Sequence, residues 1–439
     1  MMADRRPSTA SHKHLVTIIW HADVITRIGS NLLPVFCGLL LLLAVQGNAA
    51  PHPILDAASH LDRDRGLLRF DSGGSFKILQ LTDLHFGESA SKDRRSVQVM
   101  EAVLQAEANC SLVLLSGDMV SGNLWERLGR PKHFYQRRWE QLVAPLKRAG
   151  VPYAVVLGNH DGEADLSRRQ VVELVHHEGG SLSLTRMGPH SDSSAGNYWL
   201  DVMSSSGDGR VALRVWMLDS RRIECNGHPG WGCVAPEIIA WVAEKGADLP
   251  RAPSIAVVHI PPAQFMYGWS FGGGGVGLKR EPVNCPAVET GLHAALRAAG
   301  VQLVLSGHDH NNNFVTTYDG ITYAYGQKTG YGSYGPLPGL LRGGRLLLFQ
   351  EGEKGTVDVS GAESWLRLED GTLVVQESSR RSMRTFQMIC DGGYTGGALA
   401  LLARAKKVSI LVVLIAVVCV LCFIVMRRKQ QKADTRRAL

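Results

Sequence analysis

Short apolar runs that alternate with segments of helical periodicity are the feature that most restricts how this chain can fold. The runs with strand character are 76–81, 112–115, 153–157, 215–218, 255–258 and 303–305. Apolar residues also recur at helical spacing, at Trp139, Leu142, Val143 and Leu146 and again at Val288, Leu292, Ala295 and Ala299. This alternation predicts an α/β sandwich whose sheets are largely covered by helices. Two antiparallel hairpins are predicted as well, 198–203 with 211–218 and 365–368 with 372–375.

The positive charge of the chain is concentrated at its two ends. The formal charge is +7, of which residues 1–30 carry +2 and residues 404–439 carry +8, so residues 31–403 carry −3. Because the body is slightly acidic, we expect no nucleic-acid partner other than a nucleotide substrate. Hydrophobic residues make up 45% of the 439 residues, which excludes a disordered or collagen-like protein.

Both basic ends border apolar runs, and this pattern indicates a membrane topology. The run 32–45 lies between a basic region and Gly47-Asn48-Ala49-Ala50, which is typical of a secretory signal peptide, with an uncleaved signal anchor as the alternative. Residues 408–426 are nineteen residues without a charge, enough to span a bilayer as a helix, and basic residues follow at once. We therefore expect a single-pass protein of the secretory pathway or cell surface, with its catalytic domain lumenal or extracellular. The predicted segments are a signal or anchor (1–50), a lead-in (51–73), one α/β domain (74–377), a stalk (378–407), a transmembrane helix (408–426) and a cytosolic tail (427–439).

Five cysteines lie outside the two apolar end segments: Cys110, Cys225, Cys233, Cys285 and Cys390. An odd number cannot pair completely within one chain. Cys225 and Cys233 enclose a short loop that contains Pro229-Gly230, so we predict a disulfide between them.

Polar blocks follow the predicted strands, and they carry the chemistry of this sequence. The blocks are Thr82-Asp83-Leu84-His85, Ser116-Gly117-Asp118, Gly158-Asn159-His160-Asp161, His259 and Gly307-His308-Asp309-His310. Residues at the carboxyl ends of strands in an open α/β sheet lie close together, which is where such folds place ligand sites. Seven side chains offer carboxylate, imidazole or amide donors without thiolate: Asp83, His85, Asp118, Asn159, His259, His308 and His310. This donor set suits two divalent or trivalent ions such as Mn, Fe or Zn.

With these five blocks in this order, residues 74–350 resemble the calcineurin-like metallophosphoesterase superfamily. The stretches 284–288 and 326–335 are similar to those of the plant and fungal single-domain group labelled purple-acid-phosphatase-like. The resemblance implies a four-layer sandwich of two mixed β-sheets flanked by helices, with a dinuclear metal centre at the strand ends.

The resemblance also implies a role for each site residue. Asp83, His85 and His310 would hold one metal ion, Asn159, His259 and His308 would hold the other, and Asp118 would bridge the two. His160 would be the general acid that protonates the leaving alkoxide, and Asp161 would orient it. Asp309, between two ligands, is expected to be structural. Purple enzymes carry an iron-binding Tyr three residues after the bridging Asp, but Ser121 stands there, so we predict a centre without that colour.

The resulting prediction is a membrane-anchored, metal-dependent phosphoesterase that hydrolyses phosphomonoesters. Two alternatives remain open from the sequence. The same site could hydrolyse phosphodiesters, since the motifs do not separate the two classes. A non-catalytic membrane-anchored binding protein with a relict site is the other alternative, although all seven ligand positions are present.

Overall fold

The structure, a computed structural model, describes residues 68–122, 131–191, 193–352, 355–379 and 386–390. The predicted signal or anchor (1–50), the transmembrane helix (408–426) and the tail (427–439) lie outside these residues, as do most of the lead-in and the stalk. No helix within the described ranges is long and apolar enough to cross a bilayer.

The described residues form a mixed α/β structure. Its strands are β1 Leu68–Arg69, β2 Ser75–Leu81, β3 Leu112–Leu115, β4 Tyr153–Val155, β5 Tyr198–Met203, β6 Val211–Leu218, β7 Ile223–Cys225, β8 His228–Trp231, β9 Ser254–Val258, β10 Gly275–Val276, β11 Val301–Ser306, β12 Val315–Tyr318, β13 Ile321–Tyr325, β14 Gly343–Gln350, β15 Glu363–Leu368, β16 Leu373–Val374 and β17 Ser378–Ser379. Its α-helices are α1 Ala90–Ala106, α2 Phe134–Ala149, α3 Arg168–Glu178, α4 Pro236–Asp248, α5 Gln264–Phe271 and α6 Leu292–Ala298, and Gly180–Leu182 form a 3₁₀ turn.

The strands form two large mixed sheets and one small hairpin. The nine-stranded sheet has the order β1-β5-β6-β9-β11-β13-β12-β10-β17, and the six-stranded sheet has the order β16-β15-β14-β2-β3-β4. In the six-stranded sheet β2, β3 and β4 run parallel, and in the nine-stranded sheet β6, β9, β11 and β13 run parallel. The hairpin consists of β7 and β8. These parallel strands end at a common edge of each sheet, which is the edge that carries the polar blocks.

Three apolar clusters set the order of the layers. Leu114 of the six-stranded sheet and Val215 of the nine-stranded sheet belong to one cluster between the sheets. Trp139 of α2 packs on the other face of the six-stranded sheet, and Phe265 of α5 packs on the other face of the nine-stranded sheet. The layers are therefore helices, sheet, sheet and helices. Because β3 is covered on both faces, all four of its residues are apolar and buried.

The expectation of an α/β sandwich is confirmed, and so are both predicted hairpins. β5 pairs antiparallel with β6, and β15 pairs antiparallel with β16 across the Asp370-Gly371 turn. One helical prediction is too long, because α6 begins only at Leu292 and Val288 lies outside it. Gly291, which precedes the helix, has a left-handed φ of 83°, so the backbone cannot continue as a helix from Val288.

The domain extends beyond both boundaries predicted from the sequence. Before residue 74, β1 pairs in parallel with β5. After residue 377, β17 pairs with β10, and Gln387 binds the backbone N–H and C=O of Val283. Part of the predicted stalk therefore packs as an integral piece of the domain.

Two disulfides join the described cysteines. The predicted Cys225–Cys233 bond is confirmed, and it closes the β7–β8 hairpin. Cys285 pairs with Cys390, 105 residues away in the chain. Cys110 is the free cysteine of the described part, and burial raises the pKa of its thiol to about 11. Its thiol therefore stays protonated, which lowers its reactivity.

Candidate metal centre

Strands from both sheets place the seven predicted ligand residues at one site. Asp83 and His85 follow β2, Asp118 follows β3, and Asn159 follows β4, all in the six-stranded sheet. His259 follows β9, and His308 and His310 follow β11 in the nine-stranded sheet. All seven residues are buried.

The first group of donors is formed by Asp83, His85, Asp118 and His310, whose ligand atoms all lie within 4.8 Å of one another. The Nε2 atoms of His85 and His310 are 3.1 Å apart, and His310 Nε2 is 3.3 Å from a carboxylate oxygen of Asp83. Nitrogen and oxygen donors this close can bind the same ion.

The second group is formed by Asp118, His259 and His308, with the same limit of 4.8 Å between ligand atoms. His259 Nε2 is 3.2 Å from the Asp118 carboxylate. Asp118 belongs to both groups, which is the position that a bridging carboxylate requires.

Three buried atoms at the site test whether metal ions fit it. Asn159 Oδ1 and His308 Nε2 have no hydrogen-bond partner, and His259 Nε2 lies 3.2 Å from the carboxylate of Asp118, itself an expected ligand. A buried polar atom left without a partner costs about 1–3 kcal/mol, so such atoms are rare unless a ligand satisfies them. All three belong to the residues expected on one metal ion. The donor set and these atoms therefore fit a dinuclear centre.

The backbone at the site is strained. Asp83, His85, Asp118 and His308 have left-handed φ values of 54°, 48°, 54° and 77°. Non-glycine residues rarely adopt this conformation, and residues that do so cluster at functional sites. The tight turns bring ligands close to backbone: a Cβ on Gly158 would lie 2.2 Å from the Asp118 backbone nitrogen and carboxylate.

Further hydrogen bonds orient three of the imidazole rings. His85 Nδ1 is 2.7 Å from the Ser121 hydroxyl, His259 Nδ1 is 2.8 Å from the Ser116 carbonyl, and His310 Nδ1 is 2.8 Å from the Tyr334 carbonyl. When Nδ1 is held in this way, Nε2 points to the site as a ligand atom. Ser121, at the position of the iron-binding Tyr in purple enzymes, thus supports a ligand.

The electrostatics of the site favour some ligands in their metal-binding states, whereas at His259 the Asp118 and Asp83 carboxylates outweigh burial and raise the pKa to about 9. Burial lowers the pKa of His308 to about 3, which keeps its ring neutral. Burial opposes ionisation of Asp83, but His310, His259 and Lys328 outweigh burial and hold its pKa below the ordinary value. The Lys328 ammonium donates a hydrogen bond to the Asp83 carbonyl at 2.9 Å, and burial lowers its pKa to about 8.

His160 lies beside the two donor groups. Its ring centroid is 5.2 Å from that of His85, and its backbone N–H donates to the Asp118 carboxylate at 2.8 Å. Its Nδ1 is 2.6 Å from Oε2 of Glu163, whose other oxygen is 2.8 Å from Arg222. Glu163 therefore makes the contact with His160 that was predicted for Asp161.

Asp161 has a different role from the one predicted. Its carboxylate accepts hydrogen bonds from the backbone N–H groups of Asp118, Met119, Val120 and Gly158, and from the Tyr135 hydroxyl. The expectation that it orients His160 is therefore corrected: it holds the loop that presents Asp118. Sequence adjacency favoured Asp161, whereas the turn at Gly162 brings Glu163 to the ring.

Two other residues have structural roles, and that of Asp309 was expected. Asp309 accepts hydrogen bonds from the Tyr325 hydroxyl at 2.5 Å and from the Asn284 side chain at 2.7 Å. Burial raises its pKa to about 7. Asp219, for which no prediction was made, forms a buried ion pair with Arg168. The stretches 284–288 and 326–335 therefore support the site through Asn284, Lys328 and Tyr334.

The chain is similar to several known proteins. A sequence profile described as calcineurin-like phosphoesterase matches residues 76–312. An uncharacterized protein of Schizosaccharomyces pombe is 27% identical over 284 residues, 60% of this chain and 51% of that protein. A protein of Arabidopsis thaliana named "Probable inactive purple acid phosphatase 14" is 27% identical over 353 residues, 71% of this chain and 85% of that protein. The solved structure of a dimetal phosphatase from Danio rerio is 15% identical with a TM-score of 0.41, covering 66% of this chain and 98% of that one. This chain thus spans about half the length of the Schizosaccharomyces pombe relative.

Proposed function

Because this chain belongs to the calcineurin-like phosphoesterase family, we propose that it is a metal-dependent phosphoesterase that hydrolyses phosphomonoesters. One observation carries the proposal: two groups of buried donors share Asp118, and two buried ligand atoms, Asn159 Oδ1 and His308 Nε2, have no hydrogen-bond partner. A pair of cations would satisfy these atoms and offset the charge of the two carboxylates.

Each group of residues has a distinct task in this reaction. Asp83, His85 and His310 would hold one ion, Asn159, His259 and His308 the other, and Asp118 both. Two such ions clamp a phosphoryl group, lower the pKa of water and stabilise the attacking and leaving oxygens. His160 donates a proton to the leaving oxygen, and Asp161 keeps the Asp118 loop in place. The native metals are proposed to be Fe, Mn or Zn.

Hydrolysis of phosphodiesters is the second candidate, because the same donor set serves both reactions. We favour monoesters from the family resemblance alone. A panel of model monoesters and diesters, assayed with the metal-loaded full-length chain, separates the two. Faster turnover of the diesters would replace our preference.

A non-catalytic binding protein is the third candidate, and the word "inactive" in the name of the Arabidopsis relative makes it relevant. A relict site is expected to lose ligands, yet this chain retains all seven together with His160. That retention supports catalysis. Metal analysis combined with a phosphate-release screen tests the point: bound metal without release of phosphate from any ester would contradict our proposal.

We further propose that residues 408–426 anchor the protein in a membrane and that the catalytic domain faces the lumen or the exterior. Two disulfides support an oxidising compartment. Protease protection of the full-length chain in sealed microsomes tests this orientation. Digestion of the catalytic domain without detergent, where the cytosolic face is exposed, would overturn it.

A further inference from the structure

The strongest unassigned contact lies between His160 and Glu163. His160 Nδ1 and Glu163 Oε2 are 2.6 Å apart, a short distance for a hydrogen bond between a ring N–H and a carboxylate. With Nδ1 occupied in this way, Nε2 is the nitrogen that can meet a substrate. The His160 side chain is 25% exposed, in contrast to the buried ligands beside it. His160 is therefore partly accessible to solvent.

The position of Glu163 is fixed from several directions. Its side chain is 4% exposed, and its second oxygen pairs with Arg222 at 2.8 Å. Its backbone N–H donates to the His160 carbonyl at 3.1 Å, which closes a turn between the two residues. A Cβ on Gly122 would lie 2.3 Å from the Glu163 carbonyl carbon, so the loop after Asp118 packs directly against this turn. The Glu163 carboxylate is therefore held beside the His160 ring.

Arg222 brings a third structural unit into contact with this pair. It lies immediately before β7 of the hairpin that the Cys225–Cys233 disulfide closes. The same hairpin carries Trp231, whose ring meets the ring of His308 edge-on at a centroid distance of 4.4 Å. One disulfide-closed hairpin therefore contacts both the Glu163 carboxylate and a predicted metal ligand.

We propose that Glu163, held by Arg222, is the residue that positions His160 as the proton donor to the leaving oxygen. This inference rests on the proposed function and adds to it the group that fixes the acid. In the step, the oxygen of a water molecule forms a bond to phosphorus while the bond from phosphorus to the leaving oxygen breaks. The leaving oxygen takes the proton from His160 Nε2, and the Nδ1 proton stays in its hydrogen bond to Glu163. The two protons of the water stay on the released phosphate, which gives one up to solvent as His160 Nε2 takes one back. Glu163 is a positioning residue, because it acts through its contact with His160.

The test uses leaving groups that differ in their need for a proton. An alkyl alkoxide such as that of glycerol phosphate needs a proton as it leaves, whereas p-nitrophenolate does not. In full-length, metal-loaded protein, Glu163→Gln is expected to lower kcat/KM for the alkyl ester by ~10²-fold and for the nitrophenyl ester by less than ~5-fold. Glu173→Gln, the same change at an exposed residue of α3, serves as the matched control and should alter neither rate.

A double-mutant cycle separates positioning from a general structural effect. In a His160→Ala background, Glu163→Gln should produce no further selective loss, since the group it positions is gone. Metal content and melting temperature should match those of the unaltered chain. Equal loss on both esters, or loss of bound metal, would overturn the inference. If Glu163→Gln does not fold, Arg222→Gln carries the same test with a smaller selective loss.

The outcome also distinguishes this inference from the proposed function. If the unaltered chain hydrolyses neither ester with metal, the proposed function itself fails, and the inference fails with it. If the unaltered chain hydrolyses both, and Glu163→Gln changes them to the same degree, only the role of Glu163 is wrong.

Discussion

The two halves of the candidate metal centre differ in how the protein supports them. In the half formed by Asp83, His85 and His310, the donors contact one another, and Asp83 also accepts the His308 backbone N–H at 3.1 Å. In the half formed by Asn159, His259 and His308, Asn159 Oδ1 and His308 Nε2 are buried without a hydrogen-bond partner. We call these the Asp83 half and the Asn159 half.

This difference suggests that the two halves depend unequally on a bound cation. The Asp83 half is partly neutralised by protein groups, including the Lys328 ammonium at the Asp83 carbonyl. In the Asn159 half the protein does not offset the desolvation of Asn159 Oδ1 and His308 Nε2, at about 1–3 kcal/mol for each unpaired group. An ion bound there should contribute more to folding stability than one in the Asp83 half. The following predictions test this comparison.

Asp118→Asn should have the largest effect, because Asp118 is shared by both halves. Loss of the shared charge should lower metal-dependent hydrolysis by ~10³-fold or more, since a metal centre contributes several kcal/mol to catalysis. Rates are measured by phosphate release, and circular dichroism should show a folded domain. Asp208→Asn, at an exposed turn, is the control and should leave the rate unchanged. Activity that survives Asp118→Asn would contradict the proposed mechanism.

Removal of metal should destabilise the protein measurably. Ligand bound at 100 to 1,000 times its Kd stabilises the folded state by about 3–4 kcal/mol, so chelation should lower the melting temperature by about 5–10 °C. The shift should be smaller in an Asn159→Leu variant, which has lost a ligand of the more dependent half. An equal shift in both proteins would show that the two halves do not differ in this way.

Substitutions in metal-free protein compare the halves directly. Asp83→Leu should lower the free energy of unfolding by about 3 kcal/mol, because it removes a buried charge from its partners. Asn159→Leu should leave it unchanged or raise it by about 1 kcal/mol, because it removes an unpaired buried oxygen. Urea unfolding in the presence of a chelator measures both. Similar destabilisation by the two variants would refute the comparison.

The smallest expected effect is an absence of colour. Ser121 occupies the position of the iron-binding Tyr and holds His85 in the Asp83 half by a hydrogen bond of 2.7 Å. A visible spectrum of the purified, metal-loaded protein should therefore lack a tyrosinate charge-transfer band. A band in that region would contradict this prediction.

Much of the site could be predicted from the sequence because its ligands directly follow buried strands. The end of each parallel strand fixes the edge at which the next residues lie, so strand order places Asp83 beside Asp118, and packing of the two sheets adds His259. The layer arrangement could also be predicted from the sequence, because a continuous apolar strand such as β3 must be covered on both faces.

The Glu163–His160 contact and the Cys285–Cys390 disulfide were not predicted, because strand and helix periodicity says nothing about which side chains meet. Glu163 reaches His160 only because the chain turns at Gly162, and the neighbouring Asp161 was the more obvious partner. A spacing of three residues across a glycine-containing turn is the signal that could have revealed it. The Cys285–Cys390 pair joins positions 105 residues apart, and counting cysteines left their pairing open. The pairing of β1 with β5 and of β17 with β10 could not be predicted from local sequence either, because these strands are far apart in the chain.

The Cys285–Cys390 disulfide fixes the point at which the chain leaves the domain. If residues 408–426 cross a membrane as proposed, the linker 391–407 extends at most about 60 Å. If the chain left the domain after Ser379 instead, the linker 380–407 would extend at most about 100 Å. In that case the disulfide would shorten the tether and keep the candidate metal centre near the bilayer. Esters at or near that surface would then be at a higher local concentration around the site than distant ones.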